Sequence, residues 1–271
     1  SRLFAFIEGY TVTNLLPGRT GEVVRPYLLS RDEPHVRFGA ALATVVVERV
    51  LDMMTVSAML AVYLAIYAPS VESEGFHHAL YAGAGVGGAA VAVIFGFFAF
   101  AAARRERAQR LITRIVGFMP HRARAKLEEF SGHFLDGLIV LQRPHLLVPL
   151  LASSAAMWLA IGAYTWLCLL AVRVDTGFLS TFLFVPLTAL GISLPTPGGI
   201  GGYHAIFQFA LMDVYGIRGG ESSAGILLAH GISYFPLTLW GVALLSHRGL
   251  SLKTLPAAAR SATKSAAQNE P

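Results

Sequence analysis

The chain has 271 residues, of which 55% are hydrophobic and only 14% charged, with mean hydropathy +0.59. A soluble domain carries about 25% charged residues, so the composition excludes an ordinary water-soluble globule and predicts one all-α polytopic membrane domain. The net charge of +5 resides largely in loops between apolar runs, which fits membrane orientation better than a nucleic-acid partner, and the single cysteine, Cys168, leaves no internal disulfide and no cysteine-rich metal site.

In chain order, Leu3–Leu16 is apolar but carries Glu8 and Asn14. It is too short for a bilayer core of about 30 Å. It reads either as the tail of a helix whose start lies upstream or as a half-helix stopped by Pro17-Gly18. The opening at Ser1-Arg2, without Met and apolar at once, carries the expectation of an N-terminal truncation. Val23–Leu29 is a short apolar return and Arg31–Arg37 a polar loop. Phe38–Tyr67 is a long span with Glu48, Arg49 and Asp52 inside it. Ala68–His78 reads as a loop without Lys or Arg, and Ala79–Ala103 as a span whose Gly83, Gly85, Gly87, Gly88 and Gly96 suit close helix packing.

Arg104–Arg143 is the most basic region, with Leu111, Ile115, Phe118, Leu127, Phe130 and Phe134 at helical spacing. This pattern predicts amphipathic helices on an anionic membrane surface. Pro144 ends it. Leu146–Val172 spans, Phe178–Leu194 is marginal in length, Ala205–Val214 returns, and Ala224–Leu245 spans last. The domain is expected over 1–255, with a disordered cytoplasmic tail over 256–271. Loop charges place Arg104–Arg143 and the tail in the cytoplasm and Ala68–His78 outside. Threaded through, this predicts two re-entrant hairpins of opposite orientation, an inverted repeat.

Two breaks carry the chemistry. Asn14-Leu-Leu-Pro-Gly-Arg-Thr-Gly-Glu22 sets Arg19, Glu22 and Arg25 beside Pro17. Pro17 lies on Pro195 of the second break, Ser193–Tyr203, with Gly21 on Gly199. Arg19 and Arg25 can hold an anionic headgroup by bidentate contact, or they can be ordinary positive-inside arginines. Glu48 and Asp52 share one helix face, with Arg49 beside them. Each such charge near the bilayer centre costs roughly 2.5–3.5 kcal/mol, so they form a polar cavity wall, an interhelical salt-bridge lock with Arg19 or Arg25, or both. Pro195, Gly198, Gly199, Gly201 and Gly202 permit a phosphate cradle or a tight packed turn. Tyr203, His204 and Gln208 could line a cavity, although His204 and His230 taken singly read as structural. No catalytic or metal motif occurs, and no cofactor is expected.

In that order, the segments Asn14–Glu22 with Arg25, Glu48-Arg49-x-x-Asp52 and Leu194–Tyr203 resemble the lysylphosphatidylglycerol synthase transmembrane family. This is the flippase-like membrane domain of the multiple peptide resistance factor. The resemblance implies a prokaryotic inner-membrane protein, with further helices upstream, that moves a polar phospholipid between leaflets. Its lipid-binding residues would be Asn14, Arg19, Glu22, Arg25, Glu48, Arg49, Asp52, Pro195, Gly198, Gly199, Gly201, Gly202, Tyr203 and His204. The fused aminoacyl-transferase domain is not in this sequence, so no enzyme activity is expected. A homodimer, or docking to a lipid-modifying or glycosyltransferase enzyme, are the partnerships to test.

Overall fold

The computed structural model describes residues 2–15, 20–33, 35–67, 74–194 and 196–247, with the side chains of 2–5 and 74–79 left aside. The described residues contain no strand. Among the described residues ten α-helices follow one another: α1 Arg2–Leu15, α2 Gly21–Asp32, α3 Phe38–Tyr67, α4 Glu74–Ala103, α5 Arg105–Ile115, α6 His121–Gly137, α7 Pro144–Ala171, α8 Thr181–Ile192, α9 Gly202–Phe209 and α10 Gly220–His247. Four are long and apolar enough to cross a membrane, namely Phe38–Tyr67, Leu80–Ala103, Pro144–Ala171 and Gly220–His247. The protein is an all-α, multi-pass membrane protein.

The element boundaries differ from the sequence reading where polar residues extend a helix. α4 begins at Glu74, inside the expected Ala68–His78 loop, and the remainder of that loop lies outside the described residues. A helix leaving the bilayer keeps its backbone satisfied internally and can carry polar residues into water. Pro144 opens α7 instead of merely closing the preceding region, since a first-turn proline forfeits no intrahelical bond. The α4 glycines expected to pack closely do not do so: Gly83, Gly85, Gly87, Gly88 and Gly96 have no neighbour within 4 Å of a built Cβ. Val86, Val93 and Phe97 on the same helix are 72%, 70% and 64% exposed, a face suited to lipid tails.

The chain divides into two compact units. Unit 1 comprises residues 1–49, 95–149 and 237–271. In it α1 and α2 form an antiparallel hairpin. Gly9 lies against Gly21 and Arg25, so a Cβ on Gly21 would strike the Gly9 carbonyl oxygen and Thr13. Such backbone contact is the usual consequence of small residues between membrane helices, where dispersion replaces the hydrophobic effect as the driving force. Val12, Val24, Leu28 and Leu245 fill the core beside it. Asn14 Nδ2 donates to Thr238 Oγ1 at 2.8 Å, tying the hairpin to α10. α6 packs on α3 through Gly137 against Ala40 and Ala43, and through the Phe38 and Phe130 rings.

Unit 2 comprises residues 50–94 and 150–236. α8 and α9 form a second antiparallel hairpin. Gly191 and Gly202 touch backbone to backbone, and Phe184 stacks near Phe207 with ring centroids 5.1 Å apart. The core around them is Cys168, Leu169, Tyr203, Leu211, Ile226 and Ala229. α9 ends in a π-turn over Ala210–Val214. Each hairpin is followed in sequence by a long spanning helix, α3 or α10.

Candidate functional site

In unit 1, α2 and α3 bring Arg25, Glu48 and Arg49 together. Arg25 Nη1 donates to both Glu48 oxygens, at 2.8 and 3.1 Å, and Arg49 Nη2 donates to Oε1 at 2.6 Å. One carboxylate therefore bridges two guanidinium groups, leaving the trio with a local charge of +1. The Arg25 guanidinium also lies over the Phe6 ring at 4.8 Å, which fixes it further. All three side chains are about one-third exposed, so the network is reachable. Charge-assisted bonds of this kind hold the forks in one orientation. An anion that competes for those forks would be gripped bidentate. Glu8 and Thr11 of α1 are fully buried in the same unit, and Thr11 donates to the Ile7 carbonyl.

Asp52 belongs to unit 2. It is 4% exposed, and its Oδ1 accepts from Ser154 Oγ at 2.7 Å and Trp158 Nε1 at 3.1 Å, both on α7. Ser154 is also 3.3 Å from the Thr55 hydroxyl. Glu48 accepts from the two arginines, and Asp52 Oδ1 accepts from the Ser154 hydroxyl and the Trp158 ring N–H. A helix face in sequence fixes which residues align, whereas their partners depend on which other helix reaches that depth. Ser154 and Trp158 were not legible as site residues, because one serine and one tryptophan in an apolar run carry no distinguishing spacing.

Of the first break, Arg19, Pro17 and Gly18 lie outside the described residues, as does Pro195 of the second. Glu22 falls in the first turn of α2, where a carboxylate complements the helix dipole. The second break is a turn over Pro197–Gly199, with Gly198, Gly199 and Gly201 at φ of 61°, 72° and 94°. Glycine alone adopts these angles without strain. Gly198 lies under the Tyr234 ring, and Gly199 against Ile192. Tyr203 does not line an open surface: it is 4% exposed and sits in the unit 2 core against Phe207. His204 packs beside it in the first turn of α9. Among the described residues no group of three or more His, Cys, Asp or Glu is placed to hold a metal ion.

No curated protein and no solved structure matches the chain. A family model does match, described as the lysylphosphatidylglycerol synthase TM region and covering residues 3–241. The spans, the two glycine-closed hairpins and that match agree, and the chain belongs to the lysylphosphatidylglycerol synthase TM region family.

Proposed function

We propose that the protein moves a polar phospholipid, anionic or aminoacylated, between the leaflets of a prokaryotic inner membrane, with its C-terminus in the cytoplasm and without covalent chemistry of its own. Family membership supports a membrane-lipid function. The observation that carries the finer reading is the Arg25–Glu48–Arg49 trio. Charge is expensive in a spanning helix unless it is used. A bridging carboxylate keeps two arginines paired between turnovers, and a lipid phosphate replaces it. Arg19 and Glu22 would extend the same headgroup site, with Asn14 fixing the hairpin that carries it. Asp52 would orient a polar or cationic headgroup. The Gly198–Gly202 turn would supply the mobile backbone of the second hairpin.

The test is reconstitution into vesicles holding a fluorescent anionic phospholipid in one leaflet. Protein-containing vesicles should equilibrate the probe at least tenfold faster than empty ones, and Arg25→Ala or Glu48→Gln should slow this by about tenfold, since one charge-assisted bond is worth about 1.5–3 kcal/mol. Equal rates with and without protein sink the proposal. A second reading rests on α5 and the turn after it, whose exposed Leu111, Ile115 and Phe118 could dock a lipid-modifying enzyme. It requires Arg25→Ala to be silent while charge reversal on α5 abolishes function.

A further inference from the structure

Two histidines that the sequence presents separately meet in unit 2. His204 lies in the first turn of α9 and His230 midway along α10, with ring centroids 4.8 Å apart. His230 is only 9% exposed, and its Nε2 is buried with no hydrogen-bond partner among the described residues. His204 is half-buried and gives the pair an outlet.

The surrounding groups are aromatic and neutral. The Tyr203 ring of α9 lies 5.0 Å from His230, and Tyr234 of α10 stacks on it at 5.6 Å and 16°. From α7, Tyr164 and Cys168 face Tyr203. Tyr164 is hydrogen-bonded to Ser233, whose hydroxyl also donates to the His230 carbonyl. α8 brings no titratable side chain. Tyrosine and cysteine carry no charge at pH 7, so these neighbours supply no counter-charge to the imidazoles.

A buried imidazole nitrogen left bare costs free energy that a phenylalanine at the same place would not. An ionisable side chain kept inside a spanning helix marks function by default. Two imidazoles in ring contact cannot both become cationic without strong repulsion, so they titrate as a pair.

We propose that His204 and His230 form a proton-binding site that takes up a single proton between them. Hydronium gives its proton to an imidazole lone pair, one N–H bond forms, and water leaves. The site stands or falls independently of lipid transport.

The test is a pH titration of ring nitrogen shifts in the whole chain, labelled with 15N-histidine and held in lipid nanodiscs, with His204→Gln and His230→Gln assigning the signals. The pair should take its second proton at least tenfold more weakly than its first, and His204→Gln should collapse His230 to one step. Where a glutamine variant does not fold, asparagine at the same position assigns the signals, and the wild-type spectrum alone shows whether two rings titrate in linked steps. Independent titration of both rings, or protonation of neither at any pH where the chain stays folded, overturns the proposal.

Discussion

At the residue scale, the tightest constraint is a missing side chain. Gly21 and Gly202 each sit where a Cβ would run into a backbone carbonyl, of Gly9 and Gly191 respectively. Backbone cannot rotate aside as a side chain can, so Gly21→Ala and Gly202→Ala should each lower stability by at least about 1–3 kcal/mol. Gly117→Ala, with no neighbour within 4 Å, should be nearly silent. Unfolding in mixed detergent micelles reads the difference, and an unperturbed Gly21→Ala would show that α1 and α2 are not in backbone contact. Asp52 gives a second, separable prediction. Asp52→Asn retains an oxygen for Ser154 and Trp158 and should stay within about 1 kcal/mol of the parent, whereas Asp52→Leu strands both donors and should cost about 1–3 kcal/mol. If Asp52→Asn is as damaging as Asp52→Leu, the negative charge itself is what the site needs.

At the element scale, the four spans were legible because about 20 apolar residues are needed to cross a bilayer and few other structures need such runs. The breaks were legible because Pro and Gly oppose helix continuation. Their register was not. Laying Pro17 on Pro195 pairs Gly21 with Gly199, yet by packing it is Gly202 that plays the part of Gly21. The second break is longer, running from Ile192 to Gly202 against Leu15 to Gly21, and its Pro197–Gly199 turn absorbs the difference. Proline marks where a helix stops, but contact across the hairpin decides which glycine is needed. The amphipathic region resolves in the same way. Gln109 of α5 donates to the Glu128 carbonyl of α6, and Ser131 bonds Gln109. Arg124 hydrogen-bonds Glu128 and holds its carboxyl below the usual range. That leaves Leu111, Ile115 and Phe118 exposed at 58%, 57% and 85%, flanked by Arg107, Arg110 and Arg114. Each arginine near an anionic surface is worth about 1 kcal/mol. Phe118→Trp should therefore shift its emission to the blue in nanodiscs rich in phosphatidylglycerol. The shift should shrink when Arg107, Arg110 and Arg114 are replaced by Glu, and also at high salt. Emission independent of lipid charge would mean that the stripe faces protein or water.

At the scale of the whole chain, the sequence of elements repeats. A short helix, a break, a second short helix and a long span occur as α1–α2–α3 and again as α8–α9–α10. Between the two runs stand α4, the basic α5–α6 pair and α7. Two spans, α4 and α7, cross the membrane on either side of α5–α6, so α3 and α10 must run in opposite directions if α5–α6 stays on one face. Loop charge then decides which face is which. The positive-inside bias would place the arginines of α5 and α6 in the cytoplasm, which would put the start of α10 on the outside. Cysteine labelling tests this in a Cys168→Ala background. Gly117→Cys, between α5 and α6, and Gly220→Cys, at the start of α10, both have open space around the built Cβ. A membrane-impermeant maleimide applied to intact cells should modify Gly220→Cys and spare Gly117→Cys, with both modified once the membrane is opened. Labelling of both from one side would place an even number of crossings between them. That result would mean either that α7 does not cross or that α8–α9 adds a crossing instead of returning, and would remove the opposed orientation of the two repeats on which the proposed transport pathway depends.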